Sequence, residues 1–309
     1  MDLEINGDFP ALARVLRVLI DAWPEHSSYL QKSFPAENSA LLRHADRVAA
    51  LIVALANERL QQICEDYRWT CEQLLEEELY FRRHDRYRLD SFAEAQREVY
   101  SNPGFMNRYV NGLLLSHLCW HNHRHALRVF EEQFLPRLPS GAHHLEIGPG
   151  HGIYMAIAAK YPACESVTGW DISETSVSQT REALELLNAV TGVKVEKRDI
   201  LQSKPNGDRF DSVVISEVLE HLEDPNQALL NLRSFLKPDG LIFINIPVNS
   251  PAPDHIYLLR TPEEAGELIT HNGFQILQTE CAPATGYSLS RALKNTATIS
   301  CIITATPAR

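Results

Sequence analysis

The spacing of apolar residues changes near residue 140, and this change constrains the fold more than any other feature of the sequence. From residue 10 to about 135, apolar side chains recur every three or four positions, which is typical of amphipathic helices. One such series is Leu41, Ala45, Val48, Ile52 and Leu55. Beyond residue 140, short β-rich runs alternate with helical runs, as in an open parallel sheet with crossing helices. The sequence therefore predicts a helical segment followed by an α/β domain.

The predicted α/β fold is a doubly wound, mostly parallel sheet of seven strands. The predicted strands are His143–Gly148, Ser166–Asp171, Lys194–Ile200, Asp211–Ser216, Gly240–Ile246, Phe274–Glu280 and Thr298–Ile303. The predicted helices between the first five strands are Ile153–Lys160, Glu174–Val190 and Pro225–Leu236. A Pro-containing segment at 135–141 separates the helical pattern from the alternating strand–helix pattern. We therefore predict a helical domain at 1–136 and an α/β domain at 137–309.

Composition and charge argue against several classes of protein. The 29 Lys and Arg residues against 40 Asp and Glu give a net charge of −11, which repels nucleic-acid phosphates and anionic lipids. The longest apolar run, Val48–Ala56, is far shorter than the ~20 residues of a membrane-spanning helix. The first residues, Met-Asp-Leu-Glu, lack the pattern of a secretory signal, and the six cysteines include no CxxC pair. We expect a soluble, cytoplasmic protein with reduced thiols that binds neither nucleic acid nor membrane.

A glycine-rich loop follows the first predicted strand and has the chemistry of a ligand-binding turn. The segment Leu145–Gly152 reads L-E-I-G-P-G-H-G, and its glycines allow a tight turn and close approach of the backbone to a ligand. The same loop is also compatible with a simple tight turn. The third position after Gly150 is Ile153 rather than glycine, so the dinucleotide fingerprint is absent and an NAD enzyme is disfavoured.

Acidic residues end the second and third predicted strands, at the edge where such sheets bind ligands. Asp171 lies about 20 residues beyond the glycines and can accept hydrogen bonds from ribose hydroxyls, or cap the following helix. Asp199 can accept from an adenine amino group, or lie in a solvated turn. Ile172 and Ile200 are placed in sequence to sandwich an adenine ring.

A third segment, Ser216–Pro225, reads S-E-V-L-E-H-L-E-D-P at the end of the fourth predicted strand. Together with the glycine loop, Asp171 and Asp199, it resembles the class I S-adenosylmethionine (SAM)-dependent methyltransferases, and especially the branch with ubiquinone-type O-methyltransferases. The resemblance implies a Rossmann-like methyltransferase sheet with SAM as cofactor. The SAM-binding residues that it implies are Glu146, Gly148, Gly150, Gly152, Tyr154, Asp171, Ile172, Asp199, Ile200, Ser216 and Glu217.

Within that set the resemblance assigns different parts of SAM to different residues. Glu146 and the glycines would surround the methionine part, and Ser216 and Glu217 would line the floor of the cofactor site. Tyr154 follows the glycine loop and would lie beside the methionine moiety, where its ring can face a sulfonium and its hydroxyl can bond the amino or carboxylate group. It is therefore both a binding and a catalytic candidate.

Two histidines are candidate general bases, because imidazole is well suited to proton transfer near neutral pH. His221 belongs to the segment after the fourth strand, and His255 belongs to the loop after the fifth. Each could instead make only a structural hydrogen bond. A further set, His117, His121 and His125, recurs at steps of four along a predicted helix. Since no carboxylate triad or cysteine cluster accompanies it, we predict no metal and a polar helix face that lines or closes the active site.

The segments 97–123 and 134–139 resemble the helical extension of methyltransferase-like proteins from nonribosomal-peptide and polyketide pathways. This resemblance implies that 1–136 is a cap that closes over bound SAM. The leading hypothesis is methyl transfer to a small or carrier-protein-bound metabolite by a monomer or homodimer.

An alternative resemblance, to azetidine-2-carboxylate synthases, implies cyclisation of SAM with release of methylthioadenosine, with Tyr80, Asn107 and Tyr154 around the reacting chain. A non-catalytic SAM-binding protein is the third hypothesis. Failure to bind SAM would favour this third hypothesis, in the form of a non-catalytic scaffold protein.

Overall fold

The N-terminal part of the chain is helical in the computed structural model, which describes residues 8–35, 38–205, 207 and 209–308. Its helices are α1 (Pro10–Ala22), α2 (Ser27–Ser33), α3 (Ser39–Ala56), α4 (Leu60–His84), α5 (Phe92–Ala95), α6 (Pro103–Cys119) and α7 (His121–Val129). Two π-helical turns, Gln96–Tyr100 and Phe130–Phe134, follow α5 and α7. The first four residues, on which the expected absence of a signal rests, lie outside the described residues.

Helix packing in this part follows the apolar stripes. Leu12 and Leu16 of α1 and Val48 and Ile52 of α3 are buried in one common core. The break predicted at 102–104 is the start of α6, where Asn102 caps the helix by accepting a hydrogen bond from the Phe105 amide, and Pro103 takes the first helical position. Stripe burial and capping therefore place α6 as a separate helix above the sheet.

The predicted helix through the histidines 117–125 is interrupted, which corrects the expectation that three of them share one face. Cys119 ends α6, Trp120 is extended with φ −92° and ψ 132°, and His121 begins α7. An extended residue changes the direction of the chain, so His117 and His121 no longer lie one helical turn apart on a common face. These side chains lie in different environments, described below.

The C-terminal part is a seven-stranded sheet, which confirms the predicted fold class. Its strands are β1 (Ala142–Ile147), β2 (Cys164–Asp171), β3 (Val193–Lys197), β4 (Phe210–Ser216), β5 (Leu236–Val248), β6 (Phe274–Pro283) and β7 (Ile299–Pro307). The strand order is β3-β2-β1-β4-β5-β7-β6. Strands β1 to β5 pair in parallel, whereas β7 is antiparallel to both β5 and β6.

Five helices connect the strands, and three of them match the predicted helical runs. They are α8 (Ile153–Ala159), α9 (Glu174–Leu186), α10 (Pro225–Phe235), α11 (Pro262–His271) and α12 (Leu289–Lys294). The boundaries differ by up to four residues: β5 begins at Leu236 rather than at Gly240, β7 ends at Pro307 rather than at Ile303, and α9 ends at Leu186 rather than at Val190. Leu236 pairs with Phe210 through a register shift, and this irregularity lets Lys237-Pro238-Asp239 remain within the strand.

The strand order reverses at β1, with β2 on one side and β4 on the other. In open α/β sheets, ligands bind beyond the carboxyl ends of the strands at this switch point. Helix α7 lies over β6 and β7, where Asn122 donates a hydrogen bond to Ser300 at 3.0 Å. Within the described ranges, no helix is long and apolar enough to cross a bilayer.

Candidate active site

A cavity of about 190 Å³ lies at the switch point, beyond the carboxyl ends of β1 and β4. Its walls are the glycine loop at 148–151, the segment after β4 and the loop after β5, and its roof is formed by α6 and α7. Pockets for drug-sized ligands usually have about 300–1,000 Å³. The cavity is therefore small, and helices from the N-terminal part complete it.

The glycine loop adopts backbone conformations that other residues rarely take. The φ angles of Gly148, Gly150 and Gly152 are +64°, +50° and +72°. A Cβ at Gly148 would lie 2.8 Å from a Val218 methyl carbon, whereas a Cβ at Gly150 would meet nothing within 4 Å. The loop is thus tightly packed on its β4 side and open on its cavity side, where the backbone can approach a ligand.

Two polar groups from β1 and α8 face the cavity without satisfying their hydrogen-bonding capacity. Oε2 of Glu146, a residue only 3% exposed, has no hydrogen-bond partner among the described residues, and burial raises its pKa well above the ordinary value. The Tyr154 hydroxyl is likewise unpartnered within the described chain, while its ring packs against Phe130 and Phe243 with centroids 4.9 and 6.2 Å apart. An unsatisfied buried group costs about 1–3 kcal/mol, so these atoms indicate a bound polar ligand.

The acids after β2 and β3 are satisfied by local turns and do not line the cavity. Asp171 accepts a hydrogen bond from the Ser173 amide at 2.8 Å, and burial raises its pKa. Asp199 accepts a hydrogen bond from the Leu201 amide at 2.8 Å. This is the turn that the sequence analysis gave as the alternative to adenine binding. They still lie at the same edge of the sheet as Glu146, because the carboxyl ends of parallel strands meet there.

The two isoleucines proposed to hold adenine differ in exposure. Ile172 is 52% exposed beside Asp171, whereas Ile200 is 6% exposed beside Asp199. An exposed isoleucine at a ligand edge is available to cover an aromatic ring, but a buried one is already committed to the core. The geometry therefore favours Ile172 over Ile200 as the residue with a free face.

The end of β4 presents a strained glutamate to the cavity. Glu217 has φ +53°, in the left-handed region, and its amide donates to the Asn245 carbonyl at 2.8 Å. The Asn245 side chain donates to Glu217 at 2.9 Å and to the Ser216 hydroxyl at 3.1 Å. Burial raises the pKa of Glu217 to about 7, and its Oε2 lies 4.0 Å from His123 Nε2. Both Ser216 and Glu217 line the cavity, as expected.

His221 is oriented by a network that sequence reasoning missed. Its Nδ1 lies 3.1 Å from the Asp254 carbonyl and 3.3 Å from the Tyr100 hydroxyl. The Asp254 carboxylate accepts hydrogen bonds from Tyr100 at 3.3 Å and from Tyr109 at 3.0 Å. The one available signal was that Asp254 precedes His255 in the loop after β5, since the two tyrosines looked like ordinary helix packing residues.

His255 completes this wall of the cavity, and Glu220 lies buried beside it. His255 Nδ1 donates to the Ser250 carbonyl at 2.6 Å, and its Nε2 lies 3.9 Å from Glu220 Oε1. Glu220 is fully buried, and neither of its oxygens has a hydrogen-bond partner in the described part of the chain. Burial, together with the nearby Glu217 carboxylate, raises the pKa of Glu220 well above its ordinary value, and burial lowers that of His255 to about 4.

Side chains at this wall could also ligate a metal ion. They are not the histidines at 117–125 that the sequence analysis considered. Glu220, His221 and His255 each offer one ligand atom, and these atoms lie within 4.8 Å of one another. Glu220 was not singled out from the sequence, because a glutamate in a short helical turn carries no distinguishing pattern. The prediction of no metal remains a prediction.

The histidines at 117–125 divide between the cavity and the sheet. His117 and His123 line the cavity, and burial lowers the pKa of His117 and brings that of His123 to about 3. His121 bonds the Pro283 carbonyl at 3.0 Å, and His125 bonds Glu280 at 2.6 Å. Part of the predicted polar face therefore lines the cavity, and the rest joins α7 to β6.

Tyr80 and Asn107 lie outside the cavity lining. The Tyr80 ring is in α4, where it is tilted against His84 with ring centroids 4.3 Å apart and lies 4.4 Å from the Arg88 guanidinium carbon. Asn107 is exposed on α6. The roof residues on α6 include Tyr109, Val110, Leu113 and His117 instead.

Comparison with known proteins shows relatives in one enzyme family. A methyltransferase domain family matches residues 119–296, more than half of the chain. The ubiquinone biosynthesis O-methyltransferase of Coxiella burnetii (strain RSA 331 / Henzerling II) is 27% identical over 155 residues, which cover 49% of this chain and 63% of that protein. The enzyme of the same name from Bordetella avium is 31% identical over 134 residues, covering 41% and 53%. The chain thus spans less than two thirds of these relatives.

A solved structure supports the fold. The [4+2]-cyclase SpnF superposes with a TM-score of 0.50 at 19% identity, covering 60% of this chain and 80% of that one. The site fits SAM, because Gly150 leaves the backbone open and Glu146 holds an unsatisfied buried carboxylate toward a cationic ligand. SAM is accordingly the cofactor. The chain belongs to the methyltransferase domain family and is an enzyme of the SAM-dependent methyltransferase fold.

Proposed function

We propose that this protein is a cytoplasmic enzyme of specialised small-molecule biosynthesis that transfers the methyl group of SAM to a small or carrier-bound acceptor. The observation that carries the proposal is the cavity, which joins the glycine loop on one side to His221 and His255 on the other, with Glu220 close to these two histidines. A cofactor held at the loop would therefore face groups that can bind an acceptor and take its proton.

Glu146 and the loop glycines would hold the methionine part of SAM, and Asp171 and Asp199 would hold the adenosine part. When bound, SAM supplies an electrophilic methyl group on a sulfonium. The roof of α6 and α7 would exclude water, and the small cavity would hold the acceptor in line with the methyl, which can supply much of the rate. Closure of this roof on SAM binding remains a prediction.

His221 is the favoured proton acceptor of the two histidine candidates. Its Nδ1 faces a carbonyl, which can only accept, so Nδ1 carries the proton and Nε2 is free. His221 is partly exposed to the cavity, whereas burial lowers the pKa of His255 to about 4 and makes it a weaker base. General-base catalysis of this kind typically contributes about 10²–10⁴-fold.

Cavity size favours a second candidate, cyclisation of SAM to azetidine-2-carboxylate with release of methylthioadenosine. About 190 Å³ leaves little room for an acceptor beside the methionine chain, and cyclisation requires none. The unpartnered hydroxyl of Tyr154 is available within the described cavity to orient an amine. The position of Tyr80 and Asn107 outside the lining speaks against their part in this reaction. SpnF, named as a cyclase, shares the fold, and a fold does not determine the reaction.

Product analysis separates these functions. The protein is incubated with SAM alone and with SAM plus small acceptors, and the nucleoside products are resolved by chromatography. S-adenosylhomocysteine that forms only with an acceptor supports methyl transfer, and methylthioadenosine from SAM alone supports cyclisation. SAM binding without either product supports a non-catalytic role and contradicts both proposals.

A histidine pair supplies the control for the proposed base. His221→Asn should lower turnover by about 10²–10⁴-fold while leaving SAM affinity within a few-fold of the parent. His143→Asn removes an exposed histidine on β1 that bonds Ser166 outside the cavity and should change neither quantity. Equal turnover of the two variants would contradict the role of His221.

A further inference from the structure

The wall opposite the glycine loop contains three hydrogen-bond acceptors and no donor that satisfies them. Glu220 Oε1 lies 4.0 Å from His221 Nε2 and 3.9 Å from His255 Nε2, too far for direct hydrogen bonds. Glu220 is fully buried, and its two oxygens lack hydrogen-bond partners among the residues described. A group with several donors would complete this set.

The tautomers of both histidines leave acceptors facing Glu220. The Nδ1 atoms lie against backbone carbonyls, of Asp254 for His221 and of Ser250 for His255, at 3.1 and 2.6 Å. A carbonyl can only accept, so each neutral ring carries its proton on Nδ1 and presents a lone pair on Nε2. Burial keeps His255 neutral by lowering its pKa to about 4.

The charge of the cavity favours a cation. Glu146, Glu217 and Asp254 line it, and no Lys or Arg is among its described lining residues. A carboxylate or phosphate on an acceptor would meet these side chains without a compensating cation. A cationic group would instead relieve the repulsion between Glu217 and Glu220.

The distances favour an ammonium group over a zinc ion. Acceptors about 2.7–3.2 Å from one nitrogen, at angles of roughly 90–110°, lie about 3.8–5.2 Å from one another. Ligands about 2.0–2.2 Å from one zinc ion, at the same angles, lie about 2.8–3.6 Å apart. The observed separations of 3.9 and 4.0 Å, with all three atoms within 4.8 Å, match the first range and exceed the second.

We propose that Glu220, His221 and His255 form a binding site for a primary ammonium group. The inference rests on the proposed function and narrows it, because the nucleophile is then an amine. The amine belongs either to a separate acceptor or to SAM, and the chemistry of recognition is the same for both. Three N–H donors meet three acceptors, with the carboxylate supplying the opposite charge.

The same site can prepare the amine for reaction. An ammonium nitrogen has no lone pair, so it must first lose one proton, and the Glu220 carboxylate, whose Oε1 lies 4.0 and 3.9 Å from the two Nε2 atoms, is placed to take it. The lone pair of the freed amine forms the N–C bond, the C–S bond breaks, and its electron pair stays on sulfur. Positive charge thereby moves from sulfur to nitrogen, which then releases a proton to a neighbouring imidazole.

Binding is tested with n-propylamine as the probe and with 1-propanol and propanoate as neutral and anionic controls of similar size. The full-length chain, ¹⁵N-labelled in histidine, is titrated with each compound, with and without S-adenosylhomocysteine. We expect propylamine alone to shift the Nε2 resonances of His221 and His255. Glu220→Gln should weaken this binding at least 10-fold, whereas Glu280→Gln, which removes a carboxylate bonded to His125 outside the cavity, should not. Equal shifts with 1-propanol, or no shift with propylamine, would overturn the site.

Two further arms separate the alternatives. Zn²⁺ or Mg²⁺ added alone, binding tightly in the parent and not in Glu220→Gln while propylamine fails to bind, identifies a metal site and overturns the proposal. With SAM present, methylthioadenosine from SAM alone assigns the amine to SAM, and N-methylpropylamine assigns it to a separate acceptor; either product supports the site. Calorimetry with SAM tests the proposed function separately, because amine binding without SAM binding contradicts that function and leaves the ammonium site standing.

Discussion

The carboxylates at the two halves of the cofactor-binding edge of the sheet differ in their hydrogen bonding. At the ends of β1 and β4, Glu146 and Glu220 are buried, and three of their four oxygens lack hydrogen-bond partners among the described residues. At the ends of β2 and β3, Asp171 and Asp199 each accept a backbone amide from two residues on, at 2.8 Å. The first pair is unsatisfied in the free protein, and the second pair is already satisfied by its own turn.

Position in the fold explains the difference. Strands β1 and β4 are central and lie beneath α6 and α7, which exclude water from their carboxyl ends. Strands β2 and β3 form one side of the sheet, outside the cavity lining. The covered end, formed by β1 and β4, is therefore suited to binding and transferring charge. The open end, formed by β2 and β3, is suited to recognition through hydrogen bonds on preformed turns. Four predictions test this contrast, in order of decreasing expected effect.

The largest effect is expected at Tyr154, whose ring belongs to the core and whose hydroxyl belongs to the cavity. Tyr154→Ala should lower the free energy of unfolding by about 3–5 kcal/mol, because it leaves a void beside Phe130 and Phe243. Tyr154→Phe keeps the ring and should unfold like the parent, yet lose about 10²-fold in turnover if the hydroxyl positions a reacting group. Denaturant unfolding and steady-state kinetics measure the two effects. Parent-like turnover of Tyr154→Phe would assign this residue to packing alone.

Gly148 tests how tightly the covered end is built. Gly148→Ala combines φ +64° with a Cβ only 2.8 Å from Val218, so the loop must shift, and SAM affinity should fall by about 100-fold, or ~2.7 kcal/mol. Gly286→Ala is the control, because it has φ +85° but nothing within 4 Å of its Cβ. It should carry the backbone strain and leave SAM affinity unchanged in calorimetry. Parent-like SAM binding by Gly148→Ala would show that the loop does not contact the cofactor.

The open end should respond less, and its two acids should respond unequally. Asp171→Ala should weaken SAM binding by about 10–100-fold, because a charged acceptor for ribose is lost, at about 1.5–3 kcal/mol. Asp199→Ala should cost less than about 10-fold, because it would lose one hydrogen bond to an adenine amino group, whereas Asp171 would lose its bonds to the ribose hydroxyls. Calorimetric titration with S-adenosylhomocysteine measures both. A larger loss at Asp199 than at Asp171 would reverse the assignment.

The smallest effect is expected in the pH dependence of stability. The pKa of Glu217 is raised to about 7 in the folded protein, against an ordinary value of 4.5, so the folded state holds a proton that the unfolded state releases. Its contribution to stability is therefore greatest below pH 4.5 and is lost as pH rises to about 7. Relative to Glu217→Gln, the parent should lose on the order of 1 kcal/mol between these pH values in urea unfolding.

Glu196 on β3 supplies the control at the open end. Its pKa is lowered by Lys194, so it titrates below the pH window in which Glu217 acts. Glu196→Gln should therefore leave the slope of stability against pH between about 5 and 7 unchanged. A difference profile for Glu217→Gln that is flat across that window would mean that the β4 end is solvated and not closed.

Much of the α/β part followed from local pattern. Alternating apolar runs, with glycine or aspartate at their carboxyl ends, predicted strands and turns within a few residues, because pairing in a parallel sheet depends on short β-rich segments. The same pattern marked Gly148 and Asp171 as residues of a ligand-binding edge, and the family resemblance added Glu146. Where a bulge lets a strand extend past a proline, as in β5 before Gly240, local pattern placed the boundary too late.

The helical part shows where periodicity is insufficient. A step of four joined His117, His121 and His125 on one face, but one extended residue, Trp120, separates them. A helix break of this kind leaves no signal in the composition when no glycine or proline marks it. Tryptophan is an ordinary helix residue, and the break accompanies the packing of α7 on β6 and β7.

Local pattern in the sequence was enough to predict an α/β fold with a helical segment before it, and the resemblance to a known family added SAM as the ligand. The reactive wall of the cavity required the folded chain. Asp254 contacts Tyr109 across 145 positions of sequence, and helix α10 and strand β5 lie between Glu220 and His255 in the chain. No short motif predicts either contact. Secondary structure depends on neighbours a few residues apart, whereas burial, tautomer and pKa depend on which distant side chains remove water from a group.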